Sequence, residues 1–359
     1  MTNKSGAPYP LILLLSSPRA GSHLLERLLL ERYGIAFPLL THLVSHFDSF
    51  KWLWGDLSNH SNRCRLLKAM YQYEALRVKI YTFTGIDKSA ALKSSLLCTQ
   101  PFFKDILAES YDFSSLVSQA HQKFALIHQG NRWGYNLGFY TCPKMNSLPK
   151  IFDEARVIHI VRDGRDVALS WTGVYYGPHN LAEGARIWQG HVQGYKSWGE
   201  KNSTRYHQVR YEDILDNPDR ELEKIEKFLG IIPLKKPIDV SNSPLVKANS
   251  SQGTHKLVGL PVQKNNKEKW KTKFSSGEIS LFNKLAGETL KSFGYSYMSS
   301  PLKSKEVLWI KISQATGRLM GIISPIQISK IIRSFLPLFF FVFGRFCSIS
   351  KGSRPPDIN

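Results

Sequence analysis

Six residues near the start of the chain, Ser17-Pro18-Arg19-Ala20-Gly21-Ser22, have the make-up of an anion cradle. Small residues let backbone N–H groups approach a ligand, and Arg19 adds a cation that does not give up its proton. Such a loop grips phosphate-like groups when a strand enters it and a helix leaves it. The first N–H groups of the helix then point unpaired at the ligand, and its dipole favours negative charge there. The sequence predicts both elements. Leu11–Leu15 is an unbroken apolar run, the signature of a strand buried on both faces of a parallel sheet. From Ser22 onward, Leu24, Leu25, Leu28 and Leu29 mark one helix face and Glu26, Arg27, Glu31 and Arg32 the other. The loop is not of Walker type, because G-x-x-x-x-G-K-[ST] is absent and the cation precedes the glycine. An ordinary strand-to-helix turn has the same outline, so the loop gains meaning only from a second anion site.

Arg156–Trp171, RVIHIVRDGRDVALSW, supplies one. Val157, Ile158, Ile160 and Val161 read as a buried strand, Arg162-Asp163-Gly164-Arg165 as a charged turn, and Asp166–Trp171 as the start of a helix. Ser170 lies in that helix, placed to return its hydroxyl toward the loop. Basic residues at a strand's carboxyl end fit the rule that parallel sheets bind ligands there.

The remaining elements must carry these two loops. Tyr33-Gly34 closes the first helix, and Gly34–Phe37 reads as a short strand. Ser45–Leu126 is aromatic-rich and reads as several helices, with rings that either fill the core or line an acceptor pocket. Phe124–His128 is expected as a strand leading into a loop at Gln129–Asn136, and Pro143–Phe152 as a short helix. Tyr206–Tyr211 reads as a strand, and Asn217-Pro218 starts a helix that Gly230 ends. Pro233–Gly259 reads as a polar loop, and Lys264–Lys273 is dense in lysine around Trp270. Ser275 and Glu278 have capping-box spacing for a helix that stops before Gly294.

The 359 residues suit one large domain or two modest ones, and 42% hydrophobic content supports a substantial core. Four scattered cysteines without CxxC spacing argue against a disulfide framework or zinc site, and fit a reducing, cytoplasmic setting. The apolar stretch at the N-terminus is too short for a signal peptide or membrane anchor. Net charge is +20, which favours polyanionic partners such as nucleotide phosphates, acidic glycans, anionic lipid or nucleic acid, or else only keeps the surface soluble. The division expected is a domain over 1–300, with 45–126 as its acceptor-pocket region, and a basic amphipathic tail over 301–359. The tail's apolar run Phe335–Phe343, broken by Pro337 and flanked by Arg333 and Arg345, is too short to span a bilayer. It either lies at a membrane surface, giving a peripheral membrane contact, or packs on the domain.

Four segments, in order, resemble the sulfotransferases that use 3′-phosphoadenosine 5′-phosphosulfate (PAPS), more closely the bacterial and tyrosylprotein-type branch than the cytosolic steroid and phenol enzymes. Ser17–Ser22 is similar to the PRSGT loop for the 5′-phosphosulfate, and Val157–Trp171 to the 3′-phosphate motif. Arg210–Gly230 is similar to the strand and helix that follow, and Lys269-Trp270 through Tyr295 to the closing KW segment and last helix. The resemblance implies an α/β fold, a P-loop-like three-layer sandwich with a central, mostly parallel sheet flanked by helices. It implies PAPS as donor, no metal, no nucleic-acid partner, and transfer of a sulfuryl group to a hydroxyl or, second, an amine. It assigns Arg19 as the catalytic cation, Ala20, Gly21, Ser22 and His23 as the backbone cradle, and Arg162 and Ser170 as the 3′-phosphate site. Tyr211 falls beside the adenine, and Lys269 and Trp270 close over the nucleotide.

The sequence departs from that pattern at Ala20, at His23 and at the general base. Related branches carry a P-E-T-H-like segment after the first helix; here it is Pro38-Leu39-Leu40-Thr41-His42, without glutamate. His42 is then the leading base and His128 the second. Two other readings stay open. One is a P-loop-type nucleotide kinase with Asp163 as the strand-end Mg²⁺ ligand, which the missing Walker lysine opposes. The other is a non-catalytic protein that uses its positive charge on a polyanion or membrane.

Overall fold

The computed structural model describes residues 11–39, 43–83, 85–98, 101–138, 154–172, 174, 177–251 and 255–297. Strand β1, Ile12–Ser16, is buried at every residue, as its unbroken apolar run requires. It sits third in an all-parallel sheet with β2 (Ile35–Ala36), β3 (Arg132–Gly138), β4 (Arg156–Val161) and β5 (Tyr206–Arg210), in the order β2-β3-β1-β4-β5. On one side Ile12 pairs with Gly134, and on the other Leu14 pairs with Ile158 and Ser16 with Ile160. Connections leave β1 toward one edge and return to fill the other. The carboxyl end of β1 is therefore a topological switch point, where open parallel sheets form their ligand crevice.

Side chains alternate between two layers. Ile12 and Leu14 join the core formed with Leu24, Leu25, Leu28 and Leu29 of helix α1 (Ser22–Tyr33). Helices α9 (Tyr211–Asp216) and α10 (Pro218–Leu229) share that face. Leu13 and Leu15 point into the larger core on the opposite face. It is built by α2 (Leu43–Phe50), α3 (His60–Phe83), α5 (Phe103–Ala108) and α6 (Phe113–Ile127). Short helix α4 (Lys88–Lys93) packs on α3. A third cluster joins α7 (Gly164–Thr172), α8 (Leu181–Lys201) and α13 (Ser276–Ser292). Helices thus flank a parallel sheet on both faces, the P-loop-like sandwich expected.

Local signals explain several boundaries. Gly34 and Gly230 end their helices in the left-handed conformation, and Asn217 caps α10 by accepting from the Arg220 N–H. Ser275 and Glu278 form the capping box of α13. Phe124–His128 is not a strand. A capping box at Asp112 and Ser115 launches α6, and its buried stripe Leu116, Val117, Ala120 and Phe124 has helical spacing through that stretch. The expected loop at Gln129–Asn136 shrinks accordingly, because β3 already begins at Arg132. The polar stretch Pro233–Gly259 is not wholly loop, since it contains α11 (Pro244–Ser250) and a 3₁₀ turn at Lys256–Gly259. Residue Tyr211 opens α9 rather than closing β5. The helix expected at Pro143–Phe152, the tail over 301–359 and His42 all lie outside the described residues. Among the described residues no helix is long and apolar enough to cross a membrane.

His121, His128 and His159 are buried as neutral rings. Burial lowers His121 and His128 to about 4, and burial with the nearby His191 lowers His159 to about 3. Unfolded histidine titrates near ~6.5, so below that pH the unfolded chain binds protons the folded chain refuses. Stability is full above about pH 6.5 and falls as pH drops toward the folded values. Urea unfolding followed from pH 7 to pH 4.5 should show this decline, and His128→Gln should make it shallower.

Candidate functional site

The loop between β1 and α1 makes a tight left-handed turn. The Ala20 N–H donates to the Ser17 carbonyl, Arg19 has φ 64° and Gly21 φ 96°. A non-glycine residue in that region costs about 1 kcal/mol or more, which surrounding contacts must offset. Gly21 has a second reason to be glycine. A Cβ there would lie 2.3 Å from Cδ2 of Tyr211, so the ring closes directly on the loop. The Leu24 and Leu25 N–H groups already donate to the Gly21 carbonyl, and α1 starts without a side-chain cap. Its first N–H groups, at residues 21–23, are therefore the ones left for a ligand.

Arg162, at the end of β4, ties the second unit to this loop. Its Nη1 donates to the Arg19 carbonyl at 3.2 Å and its Nη2 to the Asn266 carbonyl at 3.1 Å. Asp166 lies 3.7 Å away, and the guanidinium sits 4.6 Å from the centre of the Tyr211 ring. Asn266 Nδ2 donates back to the Tyr211 hydroxyl at 2.7 Å. Nε of Arg162 is buried without a protein partner. Burial pushes the Asp166 carboxyl up, against the pull of Arg162 and of the Trp270 N–H, which donates to it at 3.0 Å.

Each residue expected from sequence can be located except His42. Arg19 Nε donates to Ser170 Oγ at 3.1 Å, so the loop cation and the helix hydroxyl meet directly across the two units. Ala20, Gly21, Ser22 and His23 form the turn and first helical residues. Tyr211 is buried between Gly21 and Arg162. Trp270 is buried with the Arg165 guanidinium 3.7 Å above its ring, whereas Lys269 is exposed at the N-terminus of helix α12 (Trp270–Lys273). His128 is turned away from the loop: its Nε2 engages the Lys93 carbonyl at 2.9 Å. That bond needs Nε2 protonated, and burial keeps the ring neutral, which makes His128 a structural end to α6.

Asp163 is also committed. Its oxygens accept from Arg165 Nε at 3.0 Å and Nη2 at 2.7 Å, which removes it as a free metal ligand at the strand end. Among the described residues, no group of three or more His, Cys, Asp or Glu side chains is placed to hold a metal.

Sequence reasoning missed Glu26, Asn136, Asn266 and His255. His23 Nδ1 lies 2.8 Å from Glu26 Oε2, and Asn136 Nδ2 donates to Glu26 Oε1. The His255 ring packs edge-on to His23 at 4.7 Å, and burial together with His23 and Arg19 lowers its pKa to about 2. The spacing of His23 and Glu26, three apart on one helix, is a signal sequence could have used. His255 and Asn266 reach the site through a chain fold that no local pattern announces.

The model of the sulfotransferase family matches residues 10–234, more than half the chain. The chain belongs to the sulfotransferase family. Among its relatives, carbohydrate sulfotransferase 1 of Danio rerio is 25% identical over 46% of this sulfotransferase and 45% of the relative. The mouse protein of the same name is 23% identical over 59% and 57%. The chain thus spans about half the length of the curated relatives it matches. The sulfotransferase domain of the Synechococcus PCC 7002 olefin synthase is 21% identical, with 81% and 96% covered and a TM-score of 0.46.

The close approach at Gly21 gives this sulfotransferase a direct test. Gly21→Ala should lower unfolding free energy by about 1–3 kcal/mol, from the left-handed backbone plus the clash with Tyr211. Adding Tyr211→Ala should make the two changes less costly together than their sum, because the second removes the clash. Urea denaturation of the two single variants and the double variant measures both.

Proposed function

We propose that this sulfotransferase moves a sulfuryl group from PAPS to a hydroxyl. The observation that carries the reading is the Arg162 guanidinium bonded to the Arg19 carbonyl, which joins two basic strand-loop-helix units at the carboxyl end of β1 and β4. PAPS bears phosphate at both ends of an adenosine, and two adjoining cationic strand ends match that demand. In this reading the N–H groups at 21–23, presented by the turn at Ala20, hold the 5′-phosphosulfate and Arg162 with Ser170 holds the 3′-phosphate. Tyr211 flanks the adenine, and the Lys269-Trp270 segment covers the nucleotide.

Sulfuryl transfer is an in-line displacement whose catalysis rests on positioning and on meeting developing charge. That charge appears on the oxygen bridging sulfur and phosphorus. Arg19 is suited to receive it, as an electrostatic partner that keeps its own proton. The kinase reading loses its metal ligand, because Asp163 is held by Arg165. The carbohydrate sulfotransferase relatives make a sugar hydroxyl the first acceptor class to try.

Calorimetric titration with adenosine 3′,5′-bisphosphate (PAP) and transfer from labelled PAPS to a sugar panel test this. Arg162→Ala should weaken bisphosphate binding by about tenfold or more, the worth of hydrogen bonds to a charged group. Arg19→Ala should cut turnover by about 10²–10³-fold with little loss of bisphosphate affinity. A chain that binds neither PAPS nor the bisphosphate would sink the proposal, and the reverse pattern in the variants would exchange the two arginines' roles.

A further inference from the structure

The donor site alone leaves the acceptor's proton without a destination. His121, His128 and His159 are buried away from the loop, each bonded to a backbone carbonyl or a tyrosine hydroxyl. His23 differs. It is the second residue of α1, inside the turn whose N–H groups face the phosphosulfate in the reading above, and its side chain is 29% exposed.

Its ring is also oriented. Glu26 accepts at both oxygens, from Asn136 Nδ2 at the end of β3 and from His23 Nδ1 at 2.8 Å. A carboxylate so placed only accepts, so the His23 proton belongs on Nδ1 and the lone pair on Nε2. Asn136 matters because it anchors Glu26 to the sheet rather than to the mobile end of a side chain. His255 closes the other side of the cluster at 4.7 Å from His23, with its Nδ1 buried and unpartnered. Burial holds its ring neutral and Arg19 adds to that, so the loop cation belongs to the same cluster. The charged and titratable groups around His23 are thus Glu26 and Arg27 on its own helix, Arg19 from the loop, and His255 from the segment after α11.

We propose that His23, oriented by Glu26 and Asn136, is the base that takes the acceptor hydroxyl's proton, a role that rests on PAPS being the donor. The acceptor oxygen forms its bond to sulfur while the bond from sulfur to the 5′-phosphate oxygen breaks. The electron pair leaves on that phosphate oxygen, giving adenosine 3′,5′-bisphosphate beside Arg19. The acceptor proton passes to His23 Nε2, and the positive ring is stabilised by Glu26. His23 thereby contributes twice: its backbone N–H to the anion cradle, and its ring to the proton. Glu26 and Asn136 are positioning residues.

The test uses the full chain with the bisphosphate bound, then PAPS with water and glycerol as acceptors. Nitrogen-15 spectra of labelled histidine should show His23 neutral with its proton on Nδ1. His23→Gln should keep bisphosphate affinity within about threefold yet lower PAPS turnover by about 10²-fold or more, the usual worth of a general base. Turnover should fall on the acid side of one titration in the wild type, and that inflection should move to lower pH in Glu26→Gln and return in Glu26→Asp. The assignment is overturned if His23 carries its proton on Nε2, or if His23→Gln turns over PAPS normally. It is equally overturned if bisphosphate affinity falls in step with turnover, which would make the ring an anion ligand. A wild type that binds no bisphosphate overturns the donor reading itself, a separate result.

Discussion

The structure depends most on one buried guanidinium. Arg162 reaches across from β4 to the Arg19 carbonyl, the Asn266 carbonyl, Asp166 and the face of Tyr211. A charge taken out of water is costly unless it is hydrogen-bonded and paired, and each contact answers part of that cost. The same contacts hold the Arg19–Gly21 turn in a backbone conformation it would not keep alone. In the proposed reading the cradle's N–H groups must be fixed before the ligand arrives, and this tie is what fixes them.

A second polar chain steadies the neighbouring turn. Glu212 accepts from the Asp163 N–H at 3.0 Å and from the Tyr295 hydroxyl at 2.8 Å, while Asp163 holds Arg165 against Trp270. Burial raises the Glu212 carboxyl, and the bonds from Asp163 and Tyr295 oppose that rise. This chain links the end of β4, the start of α9 and the residues after α13. Three segments distant in sequence therefore share one rigid corner beside the loop. Trp188 completes it by donating to the Arg162 carbonyl at 3.1 Å and filling the space a Cβ on Gly164 would need.

Much of this was legible in advance where a signal is local. β1, β4, α1 and α10 follow from apolar runs, helical spacing and the caps at Gly34, Asn217 and Gly230, all effects of near neighbours in the chain. Phe124–His128 misled because a short apolar run fits a strand or a buried helix equally, and the deciding evidence is the capping box twelve residues earlier. A tyrosine after a β-rich run looks like more strand, yet Tyr211 opens α9, and the next residue, Glu212, accepts from Asp163 and Tyr295. The polarity of Pro233–Gly259 gives no local sign of α11 or of the segment that delivers His255.

By itself the sequence determined that two basic strand-loop-helix units exist, and that the first of them puts Arg19 ahead of a glycine. Periodicity and residue chemistry are properties of a few consecutive positions, so they survive without a fold. Only the tertiary structure decided that the two units meet, through Arg162 at the Arg19 carbonyl and Arg19 at Ser170. It also decided that His23 is held by Glu26, anchored from β3 by Asn136, and flanked by His255. The reason is the parallel sheet: neighbouring strands in space are remote in sequence, and the groups at their carboxyl ends are assembled by register rather than by spacing.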